Sequence, residues 1–133
     1  MRFTIETNHK VATNPVARAI ARTKLNRAMT HMGLRIYTMQ DGEDCRQLLE
    51  QIGFVLALMG MAGELDPAIG LEDSRVRIIR GALSAINQMS KSGKWDSQQS
   101  VALEHGLSTA VALNPRIKQA YVMDAWDKLQ EMA

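Results

Sequence analysis

The feature that most constrains this chain is an unbroken apolar run, Ile52–Gly63, in which no side chain is charged or able to hydrogen-bond. No polar face can be drawn on this run at a helical period. The run therefore predicts a helix that is apolar all round, as in the centre of a core or across a bilayer. A span needs about 20 apolar residues, and the run is shorter. We therefore predict a buried central helix over 43–64.

Glycines inside this helix predict close contact with another backbone. Each glycine costs about 1 kcal/mol of helix stability relative to alanine, and its missing side chain lets another helix approach. The approaching helix is either a neighbour in the same chain or a second copy. The residues that we assign to self-association or to a partner interface are Gly53, Leu56, Met59, Gly60 and Met61.

Apolar spacing and capping residues predict five helices. Asn14-Pro15 is a helix start, and the first helix is expected to end near Met32 with Gly33 as its left-handed cap. Asp41 is expected to cap the second helix. The other predicted caps are Asp73 or Ser74 for the third helix, Asp96 for the fourth, and Gly93 at the end of the third. The last helix is expected to start at Asn114-Pro115.

Two short segments predict strands, because 2–7 alternates apolar and polar residues and 34–39 is rich in β-branched and aromatic ones. The predicted fold class is therefore mainly α: a compact bundle of about five helices with a small two-stranded β element near the N-terminus. We expect one domain over 1–133, with a basic strand–helix–strand segment at 1–40 and a helical bundle at 41–133.

The composition is typical of a soluble globular protein, with 46% hydrophobic and 23% charged residues. The single cysteine, Cys45, excludes an internal disulfide and fits a reducing compartment. The first residues contain no apolar leader, so we expect a cytoplasmic protein that does not enter a membrane. Six of the nine methionines lie near helix ends and the apolar run, where an adaptable interface is expected: Met29, Met32, Met39, Met59, Met61 and Met89.

Charges are segregated along the chain. Residues 1–40 carry seven basic groups against one acidic group, and residues 41–73 carry eight acidic groups against one basic group. Residues 74–133 are again basic, with eight basic groups against five acidic ones. Such blocks either neutralise each other, within the fold or across a dimer, or leave a basic surface for an anionic partner.

No segment carries a catalytic signature, so we expect no enzyme, no catalytic residue, no cofactor and no bound metal. Four acids lie in and around the connection between the second and third predicted helices: Glu64, Asp66, Glu72 and Asp73. Their spacing is irregular for a calcium-binding loop, and two of them fall at helix starts. No Gly-x-Ser-x-Gly elbow or phosphate loop is present. One enzymatic alternative stays open: a site built from this acidic connection and a histidine, which a strongly shifted pKa of Glu72 or Asp73 within a cleft would favour.

We therefore predict a small non-enzymatic helical protein that acts by macromolecular interaction, as an adaptor, inhibitor or regulatory subunit. It is expected to be a homodimer built around the second helix or the N-terminal strands, with a protein partner. The alternative is a nucleic-acid-binding regulator that uses basic faces of the first and third helices. Its candidate contacts are Arg18, Arg22, Lys24, Arg27, Arg77, Arg80 and Lys91.

Overall fold

The computed structural model describes residues 15–132, with side chains from residue 20 onward. The prediction of a mainly helical bundle is confirmed for this part of the chain. A short 3-10 turn, Asn114–Arg116, joins the last two helices, so the prediction that the last helix starts at Asn114-Pro115 is wrong and the helix starts at Gln119. In chain order the helices are α1 (Pro15–Thr38), α2 (Arg46–Leu65), α3 (Ser74–Ser92), α4 (Ser97–Leu113) and α5 (Gln119–Met132).

Helices α3 and α4 begin where the sequence predicts caps. Asp73 accepts a hydrogen bond from the backbone N–H of Arg75 at 2.8 Å, and Asp96 accepts one from that of Gln98 at 2.9 Å. Each carboxylate satisfies an amide that has no partner within its own helix. Helix α3 ends at Gly93, where a left-handed φ of 70° favours glycine.

The predicted strand over 34–39 is wrong, because α1 continues through residue 38. Met29, Met32 and Ile36 are each at most 4% exposed, and their spacing of three and four residues keeps them on one face of a helix. Burying Ile36 on this face outweighs the local β preference of the residues around it. Gly33, predicted to end the helix, lies inside it and does not have a positive φ.

The predicted β element is not found among residues 15–132, and its first strand, 2–7, lies outside the described residues. The β pairing that is described is one isolated antiparallel bridge, between Asp44 and Lys94. Beside it, the Trp95 N–H donates to the Glu43 carbonyl at 2.8 Å. The bridge therefore joins the α1–α2 loop to the α3–α4 loop at one end of the bundle.

Asp41 strengthens this connection between the two loops. The sequence predicts it as a cap of α2, but its carboxylate accepts hydrogen bonds from the backbone N–H and the hydroxyl of Ser97, at 2.6 and 3.1 Å. Asp44 accepts the hydrogen bond from the Arg46 N–H at the start of α2, at 3.1 Å. Asp41 thus links the α1–α2 loop to the start of α4, which the sequence order alone does not reveal.

Helix α2 lies at the centre of the core, and α3 crosses it closely. A Cβ on Gly60 would lie 3.3 Å from Cγ2 of Ile79, and one on Gly63 would lie 2.8 Å from Cγ2 of Val76. The close approach indicated by these two glycines is therefore made by a neighbouring helix of the same chain. By length and composition, α2 is the one helix within residues 15–132 that is able to cross a bilayer, and 56% of that apolar window is buried inside the bundle.

The other helices surround α2. Helix α4 packs against α2, α3 and α1. Helix α5 runs antiparallel to α2: Asp66, just after α2, accepts a hydrogen bond from the Lys118 N–H at 3.2 Å, and Phe54 meets Trp126 edge to face at 5.1 Å. Helix α1 runs antiparallel to α4, because Arg22 of α1 bonds to the Ile117 carbonyl beyond the end of α4, and Asp41, just after α1, bonds to Ser97 at the start of α4.

Candidate interaction surfaces

The residues assigned to a partner interface on α2 divide into two groups. Leu56 and Met59 are fully buried, and Gly60 is buried against α3. Gly53 and Met61 remain partly exposed. A partner that docks on the folded bundle therefore reaches the second group and not the first.

Partly exposed apolar residues of α2 form one continuous strip, which we call the α2 strip: Gly53, Phe54, Ala57 and Met61. Their spacing of one, three and four residues places them on one face of the helix. This face is turned away from α4, because Leu56, which lies nearly opposite Phe54 on the helix, comes within 3.6 Å of the Cβ position of Gly106. The α2 strip is thus the side of the central helix that no other helix fully covers.

A cleft of about 340 Å³ opens at the N-terminal end of the α2 strip, between α2 and α3. Gly53 forms part of its lining, together with Ile86 and Ser90 of α3. The exposed carboxylate of Glu50 stands at its rim. Gly53 therefore leaves space on α2 beside α3 that a side chain of a partner is able to enter.

The basic residues predicted for nucleic-acid contact on α1 have different surroundings. The Arg22 guanidinium donates to the Ile117 carbonyl at 2.7 Å, so it joins α1 to the segment before α5. Lys24 and Arg27 are exposed. The side chain of Arg18 lies outside the described residues.

The basic residues predicted on α3 are largely neutralised by neighbouring acids. Arg77 pairs with Glu72, and Arg80 pairs with Glu64. Lys91 is exposed near the end of the helix. Helix α4 contacts both α1 and α3, whereas these two have few contacts with each other. The structure therefore does not bring the two predicted basic faces together.

The acidic connection between α2 and α3 has structural partners for each of its acids. Asp66 is 2% exposed, and its carboxylate accepts hydrogen bonds from two backbone amides. Hydrogen bonds from the Arg75 side chain to Asp73 lower the pKa of that carboxyl to about 2. This shift has a structural cause, so it does not favour the enzymatic alternative. Among the residues that the structure describes, no group of three His, Cys, Asp or Glu side chains is placed to hold a metal ion.

Sulfur-bearing side chains lie mostly in the core. Met29, Met32, Met59 and Met89 are at most 3% exposed, so a partner that docks on the folded bundle does not reach these four side chains. Cys45 is 1% exposed, and burial raises the pKa of its thiol, with the nearby Asp44 charge adding to the effect.

A second surface, missed by the sequence reasoning, lies between α1 and α4. Leu34 and Tyr37 are 61% and 75% exposed on α1, and Val101 is 67% exposed on α4. The Tyr37 hydroxyl bonds to the Glu104 carboxylate, and this hydrogen bond, with the Glu104 charge, raises the pKa of Tyr37. The prediction of a strand at 34–39 concealed this surface, because Leu34 and Tyr37, three residues apart, lie on opposite faces of a strand but on the same face of a helix.

Comparison of the chain with protein-family models, curated proteins and solved structures finds no match.

Proposed function

We propose that this protein has no catalytic activity of its own and acts by binding other proteins, beginning with a second copy of itself through the α2 strip. The observation that carries the proposal is the open side of the most apolar helix. Gly53 and Ala57 are small, so they allow two helices to approach to about 8 Å. Phe54 and Met61 flank them and supply apolar area, which drives most protein association.

Charges at the two ends of the α2 strip suit an antiparallel pair with two-fold symmetry. In a contact centred on Ala57, Glu50 of one copy lies opposite Glu64 of the other, because both are seven residues from the centre. Glu64 already pairs with Arg80, whose side chain is 51% exposed. Glu50 of the second copy therefore meets the Glu64–Arg80 ion pair and not an isolated carboxylate, at both ends of the same symmetric contact.

The test is the molar mass in solution, measured by size-exclusion chromatography with light scattering. The wild-type chain is expected to elute with the mass of a dimer. Ala57→Glu places two carboxylates at the centre of the interface, and leaving buried charges unpaired costs several kcal/mol. This variant is therefore expected to raise the dimer dissociation constant at least about 100-fold.

Ala120→Glu is the matched control, since it makes the same substitution at an exposed position near the start of α5. It is expected to keep the dimer mass. A wild-type chain that stays monomeric at high concentration contradicts the proposal, and so does a dimer that Ala57→Glu leaves intact. A complex with strong absorbance at 260 nm that dissociates in salt would favour the nucleic-acid alternative.

A further inference from the structure

Helices α1 and α4 enclose a groove of about 320 Å³. We call it the α1/α4 groove; the residues that line it and matter here are Gly33, Leu34, Tyr37, Glu104, Ser108 and Val111. Leu34 and Tyr37 are among the most exposed large apolar side chains of residues 20–132. The groove thus combines depth with exposed apolar walls, as peptide-binding grooves do.

Gly33 has no packing partner that explains it. A Cβ on Gly33 would meet no atom within 4 Å, whereas one on Gly63 or Gly106 would meet a neighbouring helix. A glycine in a helix interior costs about 1 kcal/mol relative to alanine. At this position the missing side chain leaves space in the α1/α4 groove, which Gly33 lines.

The charge on the α1 side of the groove is positive. From residue 15 to residue 38 the helix contains no acidic residue. Arg27 is exposed, and it lies two turns before Leu34 on a neighbouring position of the helix surface. On the opposite wall, the Glu104 carboxylate is bonded by Tyr37. An occupant therefore needs acidic groups toward α1, and α1 of a second copy would bring like charges together.

We propose that the α1/α4 groove binds an acidic amphipathic helix of a partner protein. Apolar residues of that helix, at spacings of three and four, enter between Leu34 and Val111. Its acidic residues face Arg27, which steers association and excludes basic partners. The site uses other residues than the α2 strip, so it does not require the dimer.

The probe is a fluorescent helical peptide of about 16 residues, with leucines on one face and glutamates elsewhere. The control is the same peptide with each glutamate replaced by lysine. Fluorescence anisotropy with the full chain is expected to show saturable binding of the acidic peptide alone. Gly33→Leu fills this space in the groove and also removes a helix-interior glycine. It is expected to weaken binding at least about tenfold while the fold stays as stable as wild type or more stable.

Arg27→Glu is expected to weaken binding several-fold at low salt, and Lys91→Glu is its control, because it makes the same charge change on α3. Ala57→Glu is expected to bind the peptide normally, which separates this site from the proposed dimer. Three outcomes overturn the proposal: no saturable binding of the acidic peptide at about 100 µM, equal binding of both peptides, or full affinity in Gly33→Leu. A DNA duplex that binds more tightly than the peptide, and loses affinity in Arg27→Glu, would replace it with the nucleic-acid alternative.

Discussion

The Asp73 carboxylate holds two groups at once, the Arg75 backbone amide at the start of α3 and the Arg75 guanidinium. Asp73→Ala removes both contacts and is expected to lower the free energy of unfolding by about 1 kcal/mol, as loss of a helix cap does. Asp73→Asn keeps an oxygen that accepts from the amide, so its cost is expected to be smaller. Urea denaturation near neutral pH, followed by circular dichroism, measures both.

The same carboxylate predicts a pH dependence. Its pKa is lowered in the folded state from 3.8 to about 2, chiefly by the hydrogen bonds from Arg75. The stability that its charge contributes is therefore present above pH 3.8 and is lost as the pH falls toward 2. Both Asp73 variants are expected to reduce this acid-dependent loss. Asp96→Ala removes the cap of α4 instead, and this variant is expected to keep the acid-dependent loss of stability. Equal acid profiles for wild type and Asp73→Ala would contradict the assignment of this loss to the Asp73 carboxylate.

At the scale of single elements, the sequence predicts most helix starts and ends, because caps are local. Asp73, Asp96 and Gly93 act where their residue types and spacing place them. The end of α1 was missed because it depends on tertiary packing: Ile36 is buried by other helices, and no local signal reports that. Burial of one helical face therefore stabilises residues 34–38 as a helix by more than their local propensity favours a strand.

The crossing of α3 and α4 yields the prediction that belongs to this scale. A Cβ on Gly106 would lie 2.4 Å from Cβ of Ala82, and both atoms are attached directly to backbone, so the helices must separate. Gly106→Ala is expected to lower the free energy of unfolding by about 1–3 kcal/mol, although alanine is the better helix former. Gly81→Ala is the control: its Cβ meets nothing within 4 Å, so it is expected to stabilise by up to about 1 kcal/mol. Urea denaturation measures the free energy of unfolding of both variants. A Gly106→Ala variant that is more stable than wild type would refute the close crossing of α3 and α4.

At the scale of the whole molecule, the sequence predicts that α2 is central but not which of its sides is covered. A helix that is apolar all round carries no periodic signal of orientation. Residues of equal hydrophobicity therefore end in different places: Met59 is fully buried, whereas Met61 of the α2 strip is partly exposed. The α1/α4 groove depends on the true length of α1, so it becomes visible only once Leu34 and Tyr37 are placed on a helix.

One core includes buried residues from all five helices, so the chain is expected to unfold as a single cooperative unit. Two tryptophans report from different places: Trp95 is 3% exposed in the α3–α4 loop, and Trp126 lies on α5 against Phe54. Trp95→Phe and Trp126→Phe each leave one reporter. In each variant, the urea midpoint from the remaining tryptophan's fluorescence is expected to coincide with the midpoint from circular dichroism. An earlier fluorescence transition of Trp126 would mean that α5 detaches before the rest, and the core would then consist of two units.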